Sequence, residues 1–240
     1  MTHAMISASP AQRQLANYLA NRERTPPPSL PVKVGRQSGL ATTYIIARTD
    51  GGVGASTLAL MLEFFHACRV NIIQVGGLKS WAYTVRSEDD FLHVIPHHDE
   101  DRVSPPLDAR MKQPDCVTII EYEHGMPREA LTAATLLTEN FEAHVVLCLI
   151  GSRSDPGFRL PDIARREGIE PLVLTQYGLP DHRDQQILKI PTVPKQFAEK
   201  LRIAPDAFAL IMDGWNIPIA ALMFEKRLQD FGKRLAEWMA

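Results

Sequence analysis

The chain has 240 residues, of which 45% are hydrophobic and 22% charged, and its formal net charge is −2. Such a composition is typical of a soluble globular protein with one domain, or one domain and a tail, and no apolar run is long enough to span a bilayer. A net charge this small excludes electrostatic binding of nucleic acid by the protein as a whole, although a local basic patch stays open.

The first residues of the chain lack a cationic stretch followed by an apolar core, so no secretory signal is predicted. The three cysteines, Cys68, Cys116 and Cys148, lie far apart in sequence and each has apolar neighbours. An odd number of cysteines without close pairs favours buried thiols in a reducing compartment over a disulfide framework. A cytoplasmic protein is therefore expected.

Residues 1–38 form a basic, proline-rich leader. A short helix is predicted over residues 10–24, and the prolines of residues 25–31 end it because they favour an extended chain. The sequence leaves open an arm that docks on a partner or contacts DNA, but favours a tail that packs loosely on the domain. The cations of the leader include Arg13, Arg22, Arg24, Lys33 and Arg36.

Short apolar runs alternate with helical repeats over residues 39–240. Helices are predicted at 55–67, 127–139 and 158–167. The apolar runs are nearly continuous, as expected for strands that are buried on both faces of a parallel sheet. This alternation predicts a doubly wound α/β domain with a mostly parallel sheet, and a site at the carboxyl ends of its strands. The predicted strands are 43–47, 70–75, 116–120, 144–150 and 170–175.

A glycine cluster joins the first predicted strand to the first predicted helix. Residues 50–57 read DGGVGAST. Glycines allow backbone N–H groups to turn toward an anion, and the helix N-terminus adds a favourable dipole. In the phosphate-binding pattern G-x-x-x-x-G-K-[ST], the second glycine is Gly54 and the magnesium-binding hydroxyl is Ser56, but Ala55 replaces the lysine.

This loop resembles the KGGVGKST loop of the ParA/MinD family of P-loop ATPases, and the chain is identified as a degenerate member of that family. The family has a lysine at each end of the loop, where this chain has Asp50 and Ala55. The resemblance implies a loop that surrounds the phosphates and a proline segment beside the adenine. The residues it implies for nucleotide binding are Gly51, Gly52, Val53, Gly54, Ala55, Ser56, Thr57 and Pro191.

Three further motifs of the family are altered in this chain. The acidic positions of the D-x-D motif after the second strand are taken by Gln74 and Gly76. The Walker B strand, which ends D-T-P-P in the family, keeps an acid at Glu121 but not the residues after it. A later strand that ends in asparagine in the family ends at Gln176. The resemblance therefore implies that Ser56 and Glu121 hold Mg²⁺ only if a magnesium nucleotide still binds.

These replacements predict a pseudo-ATPase. Phosphoryl transfer is catalysed mainly by positioning and by neutralising the charge of the phosphates. Loss of one preorganised stabiliser costs about 100- to 1000-fold in rate, and here both lysines and the acidic switch residues are replaced. The backbone of the loop could still hold ATP or ADP with Mg²⁺. An empty pocket is the alternative, because Asp50 would oppose the phosphates.

The densest group of potential metal ligands is the stretch HVIPHHDED at residues 93–101. His93 and His97 have the i,i+4 spacing of helical zinc ligands, but Pro96 breaks the helix that would align them. A polar loop between the second and third strands is therefore favoured over a zinc or manganese site that includes His93, His97 and His98. Acid–base chemistry by residues 121–124 is a lesser alternative, because no substrate pocket can be identified.

The C-terminal residues 224–239 predict an amphipathic helix whose apolar residues recur every three or four positions. A membrane-binding helix, as in MinD, is one alternative. A final helix docked on the sheet, as in ParA, is favoured because the net charge of about +1 is weak for anionic lipid. The segment also resembles, loosely, the C-terminal helix of the ParA-like TraL/StbB proteins of conjugative plasmids.

Together these features predict a homodimer that acts by binding in plasmid or chromosome partition, positioning or conjugative DNA transfer. DNA contact through local basic patches and a partner protein of such a system are expected. Association with the nucleoid or the inner membrane is left open. The alternative is a scaffold without DNA contact, which recruits a machine for secretion, cellulose synthesis or polar localisation. A true ATPase with unconventional residues is the least favoured class.

Overall fold

The computed structural model describes residues 42–52, 54–66, 70–77, 83, 91–96, 101–141, 144–152, 159–176, 186–194 and 219–239. The leader with its predicted helix lies outside these ranges, as do Val53, Cys68, His97 and His98. The described residues therefore make up the α/β part of the chain and its last helix.

Seven strands form one sheet in the order β3-β2-β4-β1-β5-β6-β7, and every pairing within it is parallel. The prediction of a doubly wound, parallel α/β fold is confirmed, and this fold is compatible with a P-loop NTPase-like domain. The strands are β1 (Thr43–Arg48), β2 (Asn71–Val75), β3 (Leu92–Ile95), β4 (Thr118–Tyr122), β5 (Val145–Gly151), β6 (Leu172–Thr175) and β7 (Leu188–Lys189). The helices are α1 (Ala55–His66), α2 (Ser104–Met111), α3 (Pro127–Phe141), α4 (Leu160–Arg166) and α5 (Ile219–Met239).

Two apolar cores lie on opposite faces of this sheet. On one face α1 and α5 pack against strand residues such as Tyr44 and Ile46. On the other face α2, α3 and α4 pack against residues such as Ile45 and Ala47. Side chains alternate between the two faces along each strand. Central strands are therefore apolar at nearly every position, which is the pattern that the sequence showed.

The C-terminal helix α5 is docked on the sheet. Its apolar stripe is buried in the same core as α1. The approach of the two helices is close, since a Cβ added to Gly232 would lie 2.5 Å from the ring of Phe65. None of the helices in the described ranges is both long and apolar enough to span a membrane. The buried residues of the stripe are Phe224, Leu228, Phe231, Leu235 and Met239.

The predicted polar loop was wrong at residues 93–95, which belong to the edge strand β3 beside β2. His93 lies in this strand and not in a helix, and His97 lies outside the described residues. The predicted Walker B strand is displaced by two residues, because β4 runs over Thr118–Tyr122 and includes Glu121. Helix α2 was also not predicted. It begins with prolines in its first turn, where the missing N–H group has no helical partner to lose.

Candidate functional site

The loop between β1 and α1 lies at the carboxyl edge of the sheet, where β1 stands in the centre between β4 and β5. Gly52 and Gly54 have φ angles of 70° and 96°, a left-handed conformation that favours glycine. Helix α1 begins directly after Gly54, whose carbonyl accepts a hydrogen bond of 2.8 Å from the Leu58 N–H. The loop therefore has the strand–turn–helix form that the sequence predicted.

The residues implied for nucleotide binding differ in exposure. Gly51 and Gly52 are exposed, whereas Ala55, Ser56 and Thr57 are buried at the start of α1. Ala55 is only 1% exposed, so the position of the usual lysine is closed by a methyl group that packs in the core. Gln176 borders the loop at Gly54. A Cβ added to Gly54 would lie 3.4 Å from the Gln176 side chain.

Ser56 and Glu121 are brought together by the pairing of β1 with β4. Glu121 pairs with Ile46, and Ile46 faces α1. Residues paired in this way point to the same face of a sheet, so the carboxylate of Glu121 reaches the first turn of α1. The Ser56 hydroxyl donates a hydrogen bond of 2.8 Å to Oε1 of Glu121 in a buried environment.

Two further residues approach the Glu121 carboxylate, and the sequence did not identify either of them. The buried hydroxyl of Tyr83 donates a hydrogen bond of 2.7 Å to Oε2. Arg48, the last residue of β1, has Nη2 at 3.7 Å from Oε1, the same oxygen that Ser56 contacts. Arg48 points to the α1 face because it lies two residues after Ile46. Each carboxylate oxygen of Glu121 thus accepts a hydrogen bond from a hydroxyl group, and a guanidinium lies beside Oε1.

The Arg48 side chain is only 17% exposed. Its Nε and the neighbouring hydroxyl oxygen of Thr49 are buried and have no hydrogen-bond partner in the described part of the chain. A buried polar group without a partner costs about 1–3 kcal/mol. Such groups are rare in native proteins and each calls for a physical explanation.

The residues around Glu121 do not fit a magnesium ion. Mg²⁺ prefers near-octahedral oxygen ligands and usually keeps several waters. An ion on Oε1 of Glu121 would share that oxygen with the Arg48 guanidinium, whose Nη2 is 3.7 Å away, and two like unit charges about 4 Å apart repel by about 4 kcal/mol at an effective dielectric constant near 20. Ser56 and Glu121 therefore meet, as the resemblance implies, but a fixed cation accompanies them.

Asp50, which stands where the family has its second lysine, is held within its own chain. The hydroxyl of Ser152 donates a hydrogen bond of 2.7 Å to Oδ2 of Asp50. Ser152 directly follows β5, the strand that pairs with β1 on the side away from β4. The Asp50 carboxylate is thereby fixed on the β5 side of the loop, whereas Arg48 contacts Glu121 on the β4 side.

The space beside position 76, one of the two acidic switch positions, is filled by a residue that follows β4. Gly76 and Gly77 follow β2 with φ angles of 90° and 64°. A Cβ at Gly76 would lie 2.8 Å from Oε2 of Glu123 and 2.7 Å from Cε of Met126. Glu123, just after β4, therefore occupies the space that a side chain at position 76 would need. Its other oxygen, Oε1, lies 3.8 Å from Nδ1 of His124.

Pro191 follows the end of β7. It lines a cavity of about 290 Å³ between the end of β7 and helix α5. No described residue of the loop takes part in this cavity. The charged side chains around it are those of Lys189, Arg227, Asp230 and Arg234.

The described residues contain no group of three or more His, Cys, Asp or Glu side chains that could hold a metal ion. Cys148 is buried and Cys116 partly buried, and both are free thiols. Burial raises the pKa of the Cys148 thiol well above its usual value, so this thiol stays protonated. Neither cysteine lies at the loop.

A second set of buried polar contacts lies at the amino edge of the sheet. The Tyr44 hydroxyl is 2.8 Å from Nε2 of His66 and 3.4 Å from the sulfur of Met239. Burial lowers the pKa of His66 from 6.5 to about 4, so this imidazole is neutral at pH 7. Arg110, which is 1% exposed, donates from Nε to the Thr43 hydroxyl at 2.8 Å.

No protein-family model matches the chain, and a search of the curated proteins gives no match. The resemblance to the ParA/MinD family therefore stays a prediction. The site has to be interpreted from its own residues.

Proposed function

We propose that this protein is a pseudo-ATPase of the ParA/MinD type, which acts by binding and not by turnover of ATP. The single observation that carries the proposal is the state of the loop: its described residues make a glycine turn from β1 into α1, while the position of the family's lysine is a buried alanine. The carboxylate of Glu121 supports it as well, because its oxygens accept hydrogen bonds from Ser56 and Tyr83.

The lack of an acid at position 76 also supports the proposal. Position 76 is a glycine, and Glu123 fills the space beside it from β4. With neither a lysine at 55 nor an acid at 76, the groups that neutralise and orient the phosphates in P-loop enzymes are missing. Binding without turnover is the function that remains.

The biological setting that we propose is partition, positioning or conjugative transfer of DNA, by a homodimer with a partner protein, in the cytoplasm. The exposed face of α5 supports a role in contacts with a polyanion or an acidic partner. It carries Lys226, Arg227, Lys233 and Arg234 against two exposed acids. The alternative is a scaffold without DNA contact, and a salt-dependent shift of duplex DNA would distinguish the two.

Release of phosphate from ATP with Mg²⁺ tests the proposal. Wild-type protein is expected to release no more phosphate than a Ser56→Ala control. The Asp50→Lys, Ala55→Lys double variant carries both lysines and is expected to bind ATP with Mg²⁺ more tightly than the wild type, because it places two cations at the loop. Its turnover is expected to stay low, because position 76 has no acid.

Steady-state release by the wild type that clearly exceeds the Ser56→Ala control would refute a pseudo-ATPase. A folded double variant that neither binds nor turns over ATP would show that the site is not simply a disabled ATP site. Sedimentation of the wild type and the double variant, with and without ATP, tests the proposed dimer in the same samples.

A further inference from the structure

Neither the loop pattern nor the lack of turnover explains Arg48 at the carboxyl edge. Its side chain is mostly buried at the end of the central strand, yet its contact with Glu121 is an ion pair at 3.7 Å, too long for a hydrogen bond. The Nε donor is buried without a partner, and so is the hydroxyl oxygen of the adjoining Thr49. A guanidinium has five N–H donors in a planar fork.

The position of this guanidinium relates it to the loop. Arg48 and the Ser56 hydroxyl meet the same oxygen of Glu121, so the guanidinium lies beside the first turn of α1. The carboxylate balances the charge of Arg48 but leaves its hydrogen-bonding capacity unused. A planar fork of this kind matches the oxygens of a phosphate group, which can accept two parallel hydrogen bonds.

We infer that Arg48 is an anion-binding residue, and that the loop takes a phosphate group without magnesium. The cation that Ala55 lacks is supplied from the end of β1, and the backbone N–H groups of the loop supply the remaining donors. A divalent ion at Glu121 is opposed by the same guanidinium. The inference rests on the proposed function in one respect, because it takes the loop to be a phosphate-binding loop.

The test is calorimetric titration of the full chain with two probes, inorganic pyrophosphate and ATP, each in EDTA and in excess Mg²⁺. Both probes are expected to bind in EDTA. Mg²⁺ is expected to weaken binding, because it neutralises the phosphates that Arg48 would contact. Equal affinity for the two probes would assign binding to the phosphates alone, and tighter binding of ATP would add a contribution of the nucleoside. Both results support the inference.

The variant is Arg48→Met, and the matched control is Arg166→Met at the exposed end of α4. Arg48→Met is expected to weaken binding of both probes in EDTA at least tenfold, which corresponds to about 1.4 kcal/mol. Arg166→Met is expected to bind as the wild type does. Arg48→Lys keeps the charge but loses the planar fork, so an intermediate affinity is expected. Thermal unfolding of each variant without ligand checks that it is folded.

Three results would overturn the inference: binding that requires Mg²⁺, a folded Arg48→Met variant with wild-type affinity, or folded wild-type protein that binds neither probe. If Arg48→Met does not fold, the comparison of Arg48→Lys with the wild type takes its place, and unchanged affinity there overturns the inference.

These results leave the proposal of binding without turnover standing. Conversely, phosphate release by the wild type would refute that proposal and leave the role of Arg48 intact.

Discussion

Arg110, which is buried, and Arg48, which is mostly buried, stand at opposite edges of the sheet, and their surroundings differ. At the amino edge, Arg110 donates to the Thr43 hydroxyl at 2.8 Å and to the carbonyls of Gln113 and Pro114 at 3.3 and 3.4 Å. At the carboxyl edge, Arg48 has a carboxylate at 3.7 Å and a buried Nε without a partner. The guanidinium of Arg110 is hydrogen-bonded within the fold, whereas that of Arg48 has an ion pair but no hydrogen bond in the described part of the chain.

This difference separates a structural arginine from a binding arginine. Arg110 joins α2 and the turn after it to the start of β1, so its donors stabilise the packing of that edge. Arg48 has the 3.7 Å ion pair with Glu121 and a buried Nε without a hydrogen-bond partner in the described part of the chain. The carboxyl ends of parallel strands are also where ligands bind in open α/β sheets. Buried atoms without a partner occur at the amino edge too, at Asn71 Oδ1 and His144 Nε2, but Arg48 brings a cation to the edge where function is expected.

The largest effect is expected at Glu121, the charge partner of Arg48. Glu121→Gln leaves a mostly buried guanidinium without a counter-charge, and breaking such a pair costs about 3 kcal/mol. Urea unfolding measures this loss. The Arg48→Met, Glu121→Gln double variant is expected to recover most of it, because the uncompensated charge is gone. A double variant as unstable as Glu121→Gln alone would mean that Arg48 stabilises the fold in its own right.

Arg110→Met tests the other member of the pair. It leaves a buried hydroxyl and two carbonyls with fewer donors, so a loss of about 2 kcal/mol is expected. Arg48→Met instead leaves the Glu121 side chain, which is 2% exposed, without its counter-charge, so its loss is expected to disappear when Glu121→Gln is added. The midpoint of urea unfolding at pH 7 measures both. An Arg110→Met loss that Glu121→Gln also removed would abolish the distinction.

The smallest effect is expected at His66 and depends on pH. Since its pKa is lowered to about 4 in the folded protein from a usual 6.5, the unfolded chain takes up the proton more readily. The stability that His66 contributes is therefore complete above about pH 6.5 and is lost as the pH falls toward 4. After allowance for its partial exposure this amounts to about 1–2 kcal/mol.

His66→Gln removes this titration while keeping a polar group beside the Tyr44 hydroxyl. The variant is expected to lose less stability than the wild type between pH 7 and pH 4.5, as measured by urea unfolding at both values. An identical loss in the two proteins would mean that other groups govern acid unfolding. His144, whose pKa burial also lowers, is the first of these to examine.

Much of the fold could be predicted from sequence because the central strands are apolar on both faces. β1, β2, β5 and β6 were found within two residues of their observed bounds. Edge strand β3 was missed, because His93 and the prolines and acids after it resemble a polar loop. The C-terminal end of β4 was missed as well. Its last two residues, Glu121 and Tyr122, have polar groups and were not expected in a buried strand, but both are buried.

The site could be predicted only as far as it is local in sequence. Ser56 and the loop glycines lie on one short stretch, and Glu121 could be placed by its position at a strand end. Arg48 and Tyr83 could not be assigned to the site, because their contacts with Glu121 depend on strand pairing and on side-chain packing across the chain. The one signal in the sequence was an arginine at the end of an otherwise apolar strand.

The glycine at position 76 has a consequence for how the sequence can vary. An aspartate there would have to adopt a φ of 90°, and its Cβ would lie less than 3 Å from Met126 and Glu123. A side chain at position 76 therefore requires Met126 and Glu123 to move or to be replaced by smaller residues. Positions 76, 123 and 126 can thus be expected to change together and not one at a time.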